Sequence, residues 1–504
     1  DSSSKVLAGK ERPDAALMKS LFALSALCFC MTIVHGKKPN VLFIVCDDLN
    51  THLGSSGYAY TQTPNLNKLA DQSLTFDRAY CQYPVCGPSR ASFLSGLYPE
   101  STGVLNNTSD IRKNRPNSPS MPAFFKKHGY WTGGVGKIFH NTKTDPGEIA
   151  WHQSLRFEND ELAVVAEARK KFEAERGSVD DRKNKKTWKA LRVKVGGSLT
   201  AQTPPGNGPS GLKDEQHKDG KNARQVIEWL DQRKPDEKQP FFIICGIQKP
   251  HVPFLAPDKY FKLYPPKGIS YDPTPLDDLD DVPPLALVKR SVSFGFEFGK
   301  ENDALRREYM QAYHACVTFI DAQIGLVLDK LKEEELWNET IIVFTSDHGY
   351  HLGEHYLWGK VTLFYESARV PLVVRVPGMT RPKTRSPALV ELVDIFPTLT
   401  ELCGLTDPKE LQGRSLGDLL KKPATGGQTS AYTVVSRGTQ LGRSVRTTRW
   451  RYAEWGEARD AELYDLKNDP REIHNLAKAK KHKKTLLEMR ALLARRQKDA
   501  ASER

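Results

Sequence analysis

The stretch "NVLFIVCDD", residues 40–48, sets six apolar side chains in an unbroken run and ends it on two adjacent carboxylates. A half-buried antiparallel strand alternates apolar and polar residues, so a continuous run predicts a strand covered on both faces. Three more runs have the same form: "WTGGVGKIFH" (131–140), "PFFIICGIQKPH" (240–251) and "TIIVFTSDHG" (340–349). Together they predict an α/β fold, a large mostly parallel sheet flanked by helices. Open sheets of this kind bind ligands outside the carboxyl ends of their strands. Here those ends carry Asp47 and Asp48, Lys137 with His140, His251, and Asp347 with His348. Any one of them reads equally well as a turn or a helix cap. Four at equivalent ends of one sheet predict a convergent polar site.

Helices are predicted between the strands. In 305–331 the residues Tyr309, Ala312, Tyr313, Val317, Ile320, Ile324, Leu328 and Leu331 form one apolar stripe at helical spacing. "TPNLNKLADQS" (63–73) opens another helix, with Pro64 early in its first turn. Residues 158–225 are dense in charge and then rich in Gly and Pro, which predicts an insertion with a helical piece and a mobile loop. Residues 264–300 read as a long surface excursion and 421–429 as a linker. Beyond the linker, "SVRTTRWRYAEW" (444–455) and "AELYDL" (461–466) predict antiparallel strands ahead of a terminal helix. The expected division is an extension with a signal peptide (1–36), a catalytic domain (37–425) and a small C-terminal subdomain (426–504).

The chain has 504 residues, 27% charged and 39% hydrophobic, ordinary values for a soluble globular enzyme. Met18–Gly36 holds one Lys, fourteen mostly apolar residues (Leu21 to Val34) and a small-residue end, the pattern of a secretory signal. Fourteen residues fall short of the roughly 20 that a spanning helix needs. The expected location is periplasmic or extracellular, with no stable membrane insertion. Four cations against three anions in 1–36 leave +12 of the formal +13 to the remainder. A basic exported protein suits polyanionic partners such as sulfated glycans, nucleic acid or a membrane surface. Much of the excess lies in the tail "KAKKHKKTLLEMRALLARRQK" (478–498), where a solvated helix face is the simpler reading. Of eight cysteines, Cys28 and Cys30 fall in the signal, and Cys46 and Cys245 read as buried strand packing. Cys81 and Cys86 are close enough in sequence to pair.

Three carboxylates suit a hard cation such as Ca²⁺ or Mg²⁺. They predict one ion held by Asp47, Asp48 and Asp347, completed by His348 and a nucleophilic oxygen. Lys137, Lys360 and Arg90 bring the positive charge that an anionic substrate requires beside them. A thiol is a poor ligand for a hard ion, so Cys86 as encoded does not fit this site.

"CGPSRASFLSG" (86–96) resolves the mismatch, because it resembles the signature of the formylglycine-dependent (type I) sulfatases: Cys-x-Pro-Ser-Arg, then Leu-Ser/Thr-Gly. The resemblance implies that a formylglycine-generating maturation enzyme oxidises Cys86 to an aldehyde. Its hydrate offers one hydroxyl to bind the metal and attack sulfur, and a second to expel the product. From Asn40 to about Leu476 the chain is similar to the iduronate-2-sulfatase branch. The similarity runs through "VGKIFH" (135–140), "QKPHVPFLAP" (248–257), "TSDHGYHLGEH" (345–355), "WGK" (358–360) and "LVELVDIFPTL" (389–399).

Carried over, the metal ligands are Asp47, Asp48, residue 86 as formylglycine, Asp347 and His348. Arg90 steadies the hydrate, and Lys137, His140, His251 and Lys360 surround the sulfate. The implied fold is that of alkaline phosphatase and the sulfatases. The implied activity is sulfuric ester hydrolysis on a sulfated saccharide, 2-O-sulfated uronate or a related polysaccharide. A phosphodiesterase or phosphonate monoester hydrolase of the same superfamily, and a catalytically inactive binder of sulfated glycans, are the alternatives. A zinc phosphatase would need a second ligand set, which the sequence does not show. No nucleic-acid partner is expected. His355 and Trp358 read equally as sugar-pocket residues or as loop packing.

Overall fold

The computed structural model describes residues 38–501 except 202–204, 234–237, 288–301, 425 and 457–459. The predicted signal peptide lies outside the described residues, as does the end of the 264–300 excursion. No described helix is long and apolar enough to cross a membrane. From Pro39 onward the chain is one compact unit.

In chain order the central sheet contains β1 (Asn40–Asp47), β2 (Leu74–Tyr80), β3 (Trp131–Gly136), β4 (Gln153–Leu155), β5 (Phe241–Pro250), β6 (Thr340–Ser346), β7 (Arg369–Arg375) and β8 (Thr384–Glu391). Its strand order is β8-β2-β7-β6-β1-β5-β3-β4. β1 pairs in parallel with β5 and β6, β3 with β5 and β4, and β8 with β2. β7 runs antiparallel to both its neighbours. The expectation of a mostly parallel sheet is met, and the reversed strand has a consequence. It presents its amino end at the edge where the parallel strands present their carboxyl ends.

The helices that matter here are α1 (Pro64–Ala70), α2 (Cys86–Ser95), α3 (Met121–Lys127), α4 (Ala163–Arg176), α5 (Lys185–Gly196), α6 (Lys218–Asp231), α7 (Asp303–Glu333), α8 (Ile395–Leu402) and α9 (Lys483–Ala501). Successive residues of a strand point to opposite faces. Leu42, Ile44 and Cys46 of β1 accordingly join one core cluster with residues of α1, α6 and α7, while Val41, Phe43 and Val45 join another with residues of α2, α3 and α8. All eight β1 residues are buried, as the unbroken apolar run requires. The stripe from Tyr309 to Leu331 is buried along α7, and Asn302 caps that helix by accepting the Leu305 N–H at 3.3 Å.

Within 158–225 the described residues hold more helix than expected, and part of the predicted mobile loop (202–204) lies outside the described residues. α4 and α5 form a helical hairpin closed on Val165, Phe172, Val179 and Trp188, and α6 begins at Lys218. Charge density hid an apolar seam of only four large side chains.

The C-terminal strands β9 (Ala431–Arg437), β10 (Gln440–Arg446), β11 (Trp450–Trp455) and β12 (Asp460–Asp465) form an antiparallel meander. α9 covers it through Met489, Leu493 and Ala500. The meander is tied to the segment before β7 by a buried charge cluster. Arg451, 0% exposed, donates to Glu462 at 2.9 Å and to the Leu363 carbonyl at 2.9 Å, and lies 3.4 Å from Glu472. Breaking such a pair leaves uncompensated buried charge, at a cost of about 3–5 kcal/mol. Arg451→Met is expected to lower unfolding free energy by about that much in urea denaturation. A loss below about 1 kcal/mol would show that the cluster is not a structural tie.

Candidate active site

Asp47 ends β1, and normal strand geometry would aim Asp48 at the opposite face. Asp48 instead has φ 65°, a left-handed conformation that Asp tolerates better than most residues. Its carbonyl accepts from the Tyr313 hydroxyl at 2.8 Å, and its N–H donates to Asp347 Oδ1 at 3.3 Å. The turn brings both carboxylates toward one point, the Cys86 sulfur.

Asp347 follows β6 directly, and its N–H donates to the Cys46 carbonyl at 3.1 Å. Gly349 is required two residues later, because a Cβ there would sit 1.9 Å from the Glu366 carbonyl oxygen. The third contributor enters from β2, whose carboxyl end leads into α2 with Cys86 in its first turn. Gly87 N–H donates to Asn107 Oδ1 at 2.8 Å, and the Ser89 hydroxyl donates to the Asp347 carbonyl. Lys360 arrives on the segment that precedes the reversed strand β7.

Arg90 is 1% exposed. It donates from Nε to Asp347 Oδ2 at 2.9 Å, and from its terminal nitrogens to the carbonyls of Ile138 at 3.1 Å and Cys46 at 3.3 Å. It thus ties the ends of β1 and β3 to the Asp347 carboxylate. No hydrogen bond joins it to Cys86 among the described residues.

Around the Cys86 sulfur stand Asp47 Oδ1 at 3.2 Å, Lys360 Nζ at 3.2 Å and His348 Nε2 at 3.4 Å. Lys137 pairs with Asp47 and Lys360 with Asp48. Burial pushes Asp47 upward, but Lys137, His251, Arg90 and Lys360 together hold it well below the usual carboxylate range. Burial and the Asp47 charge push the Cys86 thiol up to about 12, so at neutral pH the encoded side chain is not a thiolate nucleophile.

The donor set fits a divalent cation. Asp48 Oδ2 is buried without a hydrogen-bond partner. The His348 Nδ1–H donates to the Gly349 carbonyl at 2.9 Å, so a neutral ring turns its Nε2 lone pair inward. That lone pair faces Asp48 Oδ1 at 3.4 Å and Asp347 Oδ1 at 3.5 Å. Asp48 Oδ1 also takes the Lys360 ammonium and Asp347 Oδ1 the N–H groups of Asp48 and His348, so the atom left for a cation without a donor is Asp48 Oδ2. Among the described residues both candidate ligand groups include Cys86, and there is no second centre of the kind a two-zinc phosphatase needs.

His251 follows β5. Its Nε2 lies 3.9 Å from Asp48 Oδ2 and its Nδ1 pairs with the Val252 carbonyl at 2.8 Å. His140 makes no hydrogen bond to the cluster among the described residues but lies within electrostatic reach of Lys137, Arg90, Asp47 and Lys360. It lines a cavity of about 170 Å³ with Lys137 and Arg156, its Nδ1 is buried without a partner, and burial and Lys137 draw it down to about 4.

The structure decides two alternatives that the sequence left open. The six described cysteines are all free, so Cys81 and Cys86 do not pair: the Cys81 thiol faces the Ser367 carbonyl at 3.9 Å, while that of Cys86 faces Asp47. His355, 2% exposed, pairs with Asp278 at 3.0 Å, and Trp358, 0% exposed, packs edge-on to Phe254, Tyr309 and Tyr350, so both are packing residues. Sequence reasoning missed Tyr313 and Asn107. Tyr313 sits on a stripe whose apolar spacing conceals its hydroxyl, and Asn107 lies outside the stretches that carry the site.

Comparison with known proteins identifies the family. The sulfatase family profile matches residues 39–405, and a profile described as N-sulphoglucosamine sulphohydrolase, C-terminal, matches 353–499. A sulfatase of Formosa agariphila is 34% identical over 470 residues, which cover 90% of this chain and 86% of that protein. Iduronate 2-sulfatase of Homo sapiens is 30% identical over 524 residues, covering 87% and 90% respectively. The phosphonate monoester hydrolase of Agrobacterium radiobacter superposes with a TM-score of 0.74 at 22% identity, covering 92% of this chain and 96% of its own. That likeness shows the shared fold alone. A profile matched across most of the chain, on a site of this composition, makes the chain a member of the sulfatase family and a sulfuric ester hydrolase.

Proposed function

We propose that the protein removes O-sulfate from 2-O-sulfated uronate or a closely related unit of a sulfated polysaccharide, after conversion of Cys86 to formylglycine. The observation that carries this reading is the convergence of Asp47, Lys360 and His348 on the Cys86 sulfur, within 3.4 Å, at a thiol that burial keeps protonated. An ordinary thiol has no work to do there. The likeness to iduronate 2-sulfatase supports the uronate. Export through Met18–Gly36 and a functional division near residue 425 belong to the same proposal.

Asp47, Asp48, Asp347 and His348 would hold one divalent ion, Ca²⁺ by the hardness of the carboxylates, with residue 86 completing the set. When present, the ion and the aldehyde hydrate would supply Lewis-acid polarisation of the sulfate and the attacking oxygen. The rest is the work of encoded side chains. Lys360, which touches both residue 86 and Asp48, offers its ammonium to the sulfate oxygens. Lys137 does the same from the Asp47 side. Lys360 supplies the proton to the departing sugar oxygen, while His251, whose Nδ1–H is held by the Val252 carbonyl, turns an accepting Nε2 toward the site beside Asp48. His140 lines the adjoining cavity, where it can take a proton from the hydroxyl that releases the product. Cys86 is only 2% exposed, so its oxidation has to precede folding.

Protein co-produced with a formylglycine-generating enzyme is expected to release sulfate, measured by ion chromatography, from disaccharides bearing a terminal 2-O-sulfated uronate. Cys86→Ala should release none. Sulfate from that variant, or preferential hydrolysis of matched phosphate or phosphonate esters by the unaltered protein, would overturn the proposal. Lys360→Ala is expected to lower kcat about 10²–10³-fold, as loss of one transition-state donor does. A change confined to KM would assign Lys360 to ground-state binding.

A further inference from the structure

The hairpin of α4 and α5 leaves a cavity of about 760 Å³ against the main body. The body side includes Val252 and Pro253, the residues that follow His251. The hairpin side includes Lys189 and Arg192. Three acids also line this space, and each is already neutralised. Glu158 pairs with Lys218 at 2.8 Å, Asp160 with Lys221 at 2.7 Å and Glu161 with Arg169 at 2.9 Å. Lys189 and Arg192 are exposed and make no ion pair or side-chain hydrogen bond among the described residues. The unbalanced charge on the cavity is therefore positive.

α5 is built to present that charge. It carries Lys185, Lys186, Lys189, Arg192 and Lys194 with no acid. Lys185, Lys189 and Arg192 recur at i, i+4 and i+7 and so share one face. Trp188, one turn from both Lys185 and Arg192, flanks that face and anchors it, buried in the hairpin seam under Arg169. Keeping five like charges on one short helix costs stability unless an anion comes to them.

The cavity is also linked to the reaction site. Glu158 lines both it and the smaller cavity that holds Lys137 and His140. A chain leaving the sulfate site past Arg156 and Glu158 therefore meets Lys189 and Arg192 next. We propose that these two residues form a second anion-binding subsite, which holds a sulfate or carboxylate of a sugar remote from the scissile ester in the same polyanionic saccharide chain. This rests on the sulfated-saccharide reading above. It assigns the α4–α5 hairpin a role in chain-length preference.

The test compares the double variant Lys189→Ser/Arg192→Ser with the unaltered protein. The substrates are a size-fractionated heparin octasaccharide and a disaccharide with the same terminal 2-O-sulfated uronate. KM for the octasaccharide is expected to rise about 3- to 10-fold with kcat unchanged, as loss of two exposed charge contacts implies. The disaccharide constants should not move, and the octasaccharide KM should respond less steeply to NaCl than before. Equal KM changes on both substrates would overturn the subsite. So would the same effect from Lys481→Ser/Lys484→Ser, which removes equal charge at the start of the C-terminal helix and the turn before it. Calorimetric binding of the octasaccharide to Cys86→Ala protein, with and without the hairpin substitutions, needs no turnover. Weaker binding there supports the subsite even if no uronate ester is cleaved, which separates its failure from failure of the activity reading. Competition by duplex DNA as effective as that by the octasaccharide would reduce the patch to a general polyanion surface and overturn the proposal.

Discussion

Three carboxylates buried at one sheet edge impose the constraint from which the rest of the site follows. Asp47, Asp48 and Asp347 are each 0% exposed, and like charges so placed repel strongly in a poorly solvated interior. Arg90 neutralises Asp347 from behind, Lys137 and Lys360 reach the other two, and the inward atoms that remain are those a divalent cation would join. The lysines that balance the resting charge are therefore in place for an anionic substrate. Stability and chemistry draw on the same groups.

The sheet topology is what makes this convergence possible. β1, β2, β3, β5 and β6 run the same way, so their carboxyl ends deliver Asp47, Cys86, Lys137, His251 and Asp347 to one edge. The reversed strand β7 adds a sixth approach by its amino end, and Lys360 uses it. The strained turn at Asp48 and the close approach at Gly349 are local adjustments that sharpen the geometry. Tyr313, donating from the long helix α7 to the Asp48 carbonyl, couples that turn to the core.

Much of this was legible before any coordinates. The run 40–48 could be read because burial on both faces demands continuous apolar residues, and its two terminal carboxylates could be read because nothing apolar explains them. The α7 stripe was legible for the same reason at helical period. The reversal of β7 was not, since "RVPLVVR" (369–375) has the composition of a parallel strand and direction leaves no local signature. The α4–α5 hairpin was read as one helix and a loose loop because its seam is narrow and its surface is charged. Sequence proximity left a Cys81–Cys86 bond open, but α2 begins at Cys86 and the two thiols face different neighbours. Tyr313 and Asn107 act through single polar atoms whose partners lie far away in the chain, which no local pattern encodes.

The account stands or falls on the inward-facing oxygens and imidazole being a cation site. Isothermal titration of metal-stripped protein with Ca²⁺ addresses this directly. One ion per chain is expected for the unaltered protein, with binding lost in Asp48→Asn. No binding, or an equal affinity in Asp48→Asn, would contradict it.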